Sequence, residues 1–185
     1  MTTANKITLV RVFLIPVFLV FCLVEFKFHY IAAVAVFAIA SITDFIDGQI
    51  ARRCNQVTTF GKFVDPLADK LLVISALLVF TQIGFMHAVC TFIIVGRELI
   101  ITSLRILAMG EGVVMAAGMS GKIKTFTQMV LIIVIFLSAD LLPIWAPGFD
   151  MVMFINILSY IMAAVTLWSG CDYLWRSRDL ILKSK

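Results

Sequence analysis

Residues 123–142 read IKTFTQMVLIIVIFLSADLL, a stretch in which only Lys124 and Asp140 carry charge. A bilayer core about 30 Å thick is crossed by a helix of roughly 20 predominantly apolar residues. The stretch therefore predicts a membrane-spanning helix.

Similar apolar stretches fill most of the remaining chain. The protein has 185 residues, of which 62% are hydrophobic and 14% charged, and its mean hydropathy is +1.09. Such a composition excludes an ordinary water-soluble domain. We predict an all-α membrane protein, with one domain over residues 1–185 forming a six-transmembrane-helix bundle. The predicted spans are 7–24, 30–51, 61–82, 86–109, 123–142 and 151–173.

The distribution of lysine and arginine predicts the orientation of these spans. With six crossings, both termini, the 52–62 loop and the 110–122 connection share one side, and most basic residues lie on or beside that side. The positive-inside rule then places both termini in the cytoplasm. The net charge of +4 fits contact with anionic lipid headgroups and requires no nucleic-acid partner.

Four aspartates lie where the second and third predicted helices approach the cytoplasmic side. Asp44 and Asp47 are three residues apart, and Asp65 and Asp69 are four apart, so each pair shares one helical face. Gly48, Ala51 and Gly61 continue the same two faces with small side chains. The pattern predicts two acidic helix faces with space for a ligand to approach the backbone.

Clustered carboxylates at a membrane edge require protons or cations. Two unit charges about 4 Å apart repel by roughly 4 kcal/mol at an effective dielectric constant of 20. Carboxylate oxygens suit Mg²⁺, Mn²⁺ or Ca²⁺, and Mg²⁺ is commonly shared with substrate phosphates. One isolated aspartate at a helix end is usually only solvated, but four on two apolar helices favour a functional site.

The complete spacing resembles the signature of the CDP-alcohol phosphotransferase family. It reads Asp44-x-x-Asp47-Gly48-x-x-Ala51-Arg52, eight residues, then Gly61-x-x-x-Asp65-x-x-x-Asp69, and every fixed position is present. The similarity extends to Asn5-x-x-Thr8-x-x-Arg11, to Gly96-Arg97-Glu98 followed by Arg105, and to Gly121-Lys122-Ile123-Lys124-Thr125. These features are most similar to the bacterial members that make phosphatidylglycerophosphate.

The resemblance implies a fold, a cofactor and a reaction. It implies a homodimeric six-helix bundle in the bacterial inner membrane, with two divalent ions, Mg²⁺ or Mn²⁺, in an active-site cavity open to the cytoplasm. A phosphatidyl group would pass from CDP-diacylglycerol to sn-glycerol 3-phosphate, releasing CMP. The implied metal ligands are Asp44, Asp47, Asp65 and Asp69, with Asp69 also the catalytic base, and the implied CDP-diacylglycerol-binding residues are Gly48, Ala51, Arg52 and Gly61.

An acceptor that carries a phosphate requires basic groups. Arg97, Ile101 and Arg105 recur every four residues on the fourth predicted helix, and charge deep in a span is normally paired or functional. For Arg97, phosphate binding stays open beside an ion pair, with Glu98 or with an aspartate, that only stabilises the bundle. Lys122 and Lys124 point to different sides of a helix, and Lys124 is the expected phosphate ligand. The predicted glycerol-phosphate-binding residues are thus Arg97, Arg105 and Lys124.

Other functions remain open from the residues alone. Within the family, the acceptor could instead be phosphatidylglycerol, which gives cardiolipin, or inositol phosphate, which gives phosphatidylinositol phosphate, or serine. A membrane prenyltransferase also uses acidic motifs. Such enzymes are longer chains with two separated motifs, whereas this chain has one compact cluster. A cation or proton transporter also buries acids, yet it requires a polar path to the opposite face. There the chain offers Glu25, Lys27, Asp140 and Asp150, all near predicted loops.

Overall fold

All regular secondary structure in the described part of the chain is α-helical. The structure is a computed structural model that describes the backbone of residues 3–54, 59–110 and 118–183 and the side chains of 10–43, 70–108 and 118–178. Its six helices are α1 (Thr3–Leu23), α2 (His29–Cys54), α3 (Thr59–Gln82), α4 (Ala88–Gly110), α5 (Met119–Trp145) and α6 (Met151–Lys183). Each helix covers one predicted apolar stretch, so the expectation of six helices is confirmed.

Two described segments are long and apolar enough to cross a membrane, Met119–Trp145 and Met151–Arg178. Only 22% of the first apolar window and 28% of the second is buried within the protein. Large apolar side chains on the helices are also exposed, including Phe92 at 77% and Phe126 at 71%. Apolar surface on this scale is characteristic of membrane or partner contact rather than of contact with water.

Contacts divide the chain into two compact units, and the first comprises residues 1–82 and 136–151. Within it, α1 packs against α2 and α3. The ring of Phe136 lies 5.8 Å from that of Phe18 and 4.5 Å from that of Phe80, and all three side chains are fully buried. Aromatic contacts therefore join α5 to α1 and α3.

A carboxylate satisfies the first turn of α2 in the same unit. Asp140 accepts a hydrogen bond from the backbone N–H of Ile31 at 2.9 Å through its Oδ2 atom. The first N–H groups of a helix have no partner inside that helix, and an acid there also matches the positive end of the helix dipole. Asp140 thus has a structural partner.

The second unit comprises residues 83–135 and 152–185, and therefore contains α4, the first part of α5 and most of α6. Buried aliphatic residues such as Ile94, Ile132 and Ile155 form part of its core. Several other buried positions are polar, including Ser120 and Lys124 on α5 and Ser169 on α6. Because buried polar groups require hydrogen-bonding partners, these positions indicate specific polar contacts between the helices.

Truncating Phe136 tests the aromatic contacts of the first unit. We expect Phe136→Ala to lower the free energy of unfolding by about 3–5 kcal/mol, because its buried ring would leave a cavity. Thermal unfolding of the purified protein in detergent would measure the change. Phe126→Ala is the matched control on the same helix, since Phe126 is exposed. Equal losses of stability in both variants would contradict this account of the core.

Candidate active site

The acidic motif lies at the end of α2 and the beginning of α3. Asp44, Asp47, Gly48, Ala51 and Arg52 belong to α2. Gly61, Asp65 and Asp69 belong to α3. The backbone is helical at all eight positions, and this confirms the helical spacing that the predicted shared faces require. The side chains of all eight residues lie outside the described part, so their predicted roles stay predictions.

The donor chemistry of this motif fits a divalent cation. Its four acids supply only hard oxygen ligands, which Mg²⁺ and Mn²⁺ prefer over softer donors. Residues three or four apart on a helix lie about one turn from each other. Each helix can therefore present two carboxylates to the same ligand.

A second set of charged residues lies in the unit formed by α4, α5 and α6, where Glu98 joins two cations. Its Oε1 atom accepts a hydrogen bond from Arg97 Nη1 at 3.1 Å and a second one from Lys124 Nζ. Arg97 also donates from Nη2 to the hydroxyl of Ser169 at 2.8 Å. The Arg97–Glu98 ion pair is thus present, and these three charged residues together carry one excess positive charge.

Arg105 lies two turns further along α4 and has a different kind of partner. Its Nε donates to the hydroxyl of Tyr173 at 3.3 Å, and its guanidinium carbon lies 5.4 Å from the centre of the Tyr173 ring. Among the described residues, no carboxylate forms an ion pair with Arg105. Its charge is therefore held in place without being neutralised by those residues.

Asp172 joins α5 to α6 beside these groups. It accepts hydrogen bonds from the hydroxyl of Ser120 and, at 2.9 Å, from Nε of Arg176. We call the combined set the polar seam. It consists of Arg97, Glu98, Arg105, Ser120, Lys124, Ser169, Asp172 and Tyr173.

The polar seam agrees with several sequence predictions. Arg97 and Arg105 both contact α6, as their shared face required. Lys124 is buried whereas Lys122 is exposed, so the two lysines do point to different sides. The structure thus brings Arg97 and Lys124 together around Glu98 and places Arg105 along the same helix. Their binding of a phosphate stays a prediction.

Sequence reasoning missed the contribution of α6. No predicted site residue lies beyond Lys124, yet Ser169, Asp172 and Tyr173 supply partners for α4 and α5. A signal was present in the sequence, because residues with polar groups recur along α6 at helical spacing, and the structure buries them. They are Ser159, Thr166, Ser169, Tyr173 and Ser177.

The chemistry available to the polar seam is recognition of an anion. A guanidinium presents paired donors that match a phosphate, and a lysine adds a further point charge. The half-buried setting strengthens such contacts relative to water. The acidic motif can thus offer ligands to a divalent cation, and the polar seam can offer donors to an anion.

Comparison with known proteins gives a consistent assignment. The family described as CDP-alcohol phosphatidyltransferase matches residues 1–168. A relative from Bacillus subtilis (strain 168) is 37% identical, covering 97% of this chain and 97% of the relative. Relatives from Pseudomonas fluorescens (34% identical, 94% and 89% covered) and Salmonella typhi (37% identical, 95% and 94% covered) are also similar. All three are named "CDP-diacylglycerol--glycerol-3-phosphate 3-phosphatidyltransferase". With matches over most of its length, this chain belongs to the CDP-alcohol phosphatidyltransferase family.

Proposed function

We propose that this chain transfers a phosphatidyl group from CDP-diacylglycerol to sn-glycerol 3-phosphate, in phospholipid biosynthesis. The observation that carries the proposal is its similarity, over nearly the full length, to relatives named for that reaction. The helical backbone through the whole acidic motif adds support, because the motif depends on helical spacing. The products are phosphatidylglycerophosphate, which stays in the bilayer, and CMP.

The reaction is a substitution at phosphorus. The primary hydroxyl oxygen of glycerol 3-phosphate forms a bond to the phosphorus that carries the diacylglycerol. The bond from that phosphorus to the bridging oxygen breaks, and CMP leaves with the bonding electrons. In the proposal, Asp69 accepts the proton of the attacking hydroxyl. A carboxylate is a weak base for an alcohol, so orientation of the hydroxyl contributes much of its effect.

The acidic motif holds the donor substrate. Asp44, Asp47, Asp65 and Asp69 are the proposed ligands of divalent cations, with Mg²⁺ or Mn²⁺ and a pair of ions as the finer expectation. Such cations, when bound, neutralise charge on the diphosphate and on the departing CMP. Gly48, Ala51 and Gly61 leave space beside the nucleotide, and Arg52 offers paired donors to a phosphate.

The polar seam receives the acceptor. Glycerol 3-phosphate carries a negative charge that carboxylates repel, so a separate basic region is required. Arg105 is the best-supported ligand for its phosphate, because no described carboxylate competes for its charge. Lys124 and Arg97 contribute positive charge around Glu98. The requirement for a phosphorylated acceptor disfavours serine.

The proposed setting is the cytoplasmic membrane of a bacterium. All six helices cross the bilayer as one domain, with both termini and an active-site cavity on the cytoplasmic side. With six crossings in succession, the acidic motif and the connection from α4 to α5 fall on that side, where most lysine and arginine residues lie. Membrane lipids as partners and assembly into a homodimer belong to the same proposal.

An acceptor panel tests the function. Purified protein, CDP-diacylglycerol and Mg²⁺ should release CMP rapidly with glycerol 3-phosphate, and the lipid product should be phosphatidylglycerophosphate. Phosphatidylglycerol, inositol phosphate and serine should give far slower release. Faster turnover with any of these three would replace the proposed acceptor, and no CMP release with any acceptor would contradict the enzyme assignment.

Replacing Asp69 tests its role as base. We expect Asp69→Asn to reduce turnover about 10²–10⁴-fold, the usual contribution of a positioned acid or base. Binding of CDP-diacylglycerol should largely survive, because the other three acids remain. The matched control is Asp150→Asn, which changes an exposed aspartate outside both sets of site residues. Full activity of Asp69→Asn would remove the assigned role.

A further inference from the structure

Tyr173 of α6 stands out because it contacts Arg105 in two ways. Its hydroxyl accepts from the Arg105 Nε at 3.3 Å, and its ring lies beneath the guanidinium, with 5.4 Å from ring centre to guanidinium carbon. Tyr173 itself is buried, with 7% of its surface exposed. The two contacts restrict both the direction and the plane of the guanidinium.

The chemical nature of this partner matters for an arginine that binds an anion. A carboxylate would also fix the guanidinium, but it would cancel the charge and compete with a phosphate for the same donors. A phenol is neutral, and here it uses Nε and the face of the group. Neither of these contacts occupies Nη1 or Nη2, the paired donors suited to a phosphate.

Arg97 lies on α4, as Arg105 does, but it has a different set of partners. Its Nη2 donates to Ser169, a neutral hydroxyl one turn before Tyr173 on α6, but its Nη1 is paired with Glu98. A side chain on Gly170 would place Cβ 3.1 Å from Cγ of Arg97, so α6 also fits closely around the stem of that arginine. Arg97 is therefore partly neutralised, whereas Arg105 keeps its charge among the described residues.

We propose that Tyr173 is a positioning residue that orients Arg105 to bind the phosphate of the acceptor substrate. The inference rests on the proposed function. It extends that function to a residue of α6 that is neither a predicted metal ligand nor a predicted substrate-binding residue. Tyr173 acts through Arg105 and does not itself contact the reacting atoms. It determines affinity for a phosphorylated acceptor more than the rate of the chemical step.

Kinetics of Tyr173→Phe test the proposal, because the substitution keeps the ring and removes only the hydroxyl. We expect the KM for glycerol 3-phosphate to rise about three- to tenfold, the equivalent of one hydrogen bond. The kcat and the KM for CDP-diacylglycerol should stay within about twofold, since the proposed role of the hydroxyl is confined to orienting Arg105. Tyr160→Phe is the matched control, because Tyr160 lies on the same helix and is exposed; its kinetics should equal those of the unmodified protein.

A double-mutant cycle with Arg105→Ala separates positioning from a general effect on the bundle. Arg105→Ala alone should raise the KM for glycerol 3-phosphate by at least tenfold, the scale of a hydrogen bond to a charged group of about 1.5–3 kcal/mol. Adding Tyr173→Phe to it should cause no further increase, because the hydroxyl has no arginine left to orient. Thermal unfolding of every variant in detergent monitors the fold independently.

The outcomes distinguish this inference from the function on which it rests. An increase in KM for Arg105→Ala together with unchanged kinetics for Tyr173→Phe would overturn the positioning role and leave the function intact. Independent, multiplying effects in the double variant, or a fall in kcat without a change in KM, would also overturn it. Absence of glycerol 3-phosphate-dependent CMP release from the unmodified protein would overturn the function and the inference together.

Discussion

A charged group within an apolar helix has to find its partners inside the protein, because hydrocarbon supplies no hydrogen bonds. The buried polar groups of α4, α5 and α6 follow from this constraint. Lys124 is almost completely buried on α5 and pairs with Glu98 on α4. Removing one member of such a pair leaves the other charge unsatisfied, which costs more than the pair itself contributes. The polar seam therefore joins α4, α5 and α6, and each of its buried charges depends on its partner.

The two arginines of α4 have partners of different chemistry. Arg97 is anchored by a carboxylate and a hydroxyl. Arg105 is anchored by a phenol. A carboxylate partner lowers the local positive charge, whereas a neutral partner only restricts the side chain. The charge of Arg97 is thus partly offset by Glu98, whereas no described carboxylate offsets the charge of Arg105.

Hydropathy and spacing were sufficient to predict the helices, because apolar runs of membrane length leave few alternatives. They also predicted that Arg97 and Arg105 share a face and that Lys124 and Lys122 do not. The partners on α6 were not predicted, since hydrogen bonds such as that between Arg105 and Tyr173 join residues far apart in sequence. Periodicity identifies the face of a helix but not the helix that it meets. The polar residues on the buried face of α6 were the available signal.

The proposed reaction requires the aspartates of α2 and α3 to hold divalent cations at the diphosphate of CDP-diacylglycerol. Electron–nuclear double resonance of the purified protein with Mn²⁺ and CDP-diacylglycerol tests this requirement. We expect phosphorus hyperfine coupling to bound Mn²⁺, and its loss when Asp65 is replaced by asparagine. Mn²⁺ that binds without phosphorus coupling, or coupling unchanged by Asp65→Asn, would contradict it.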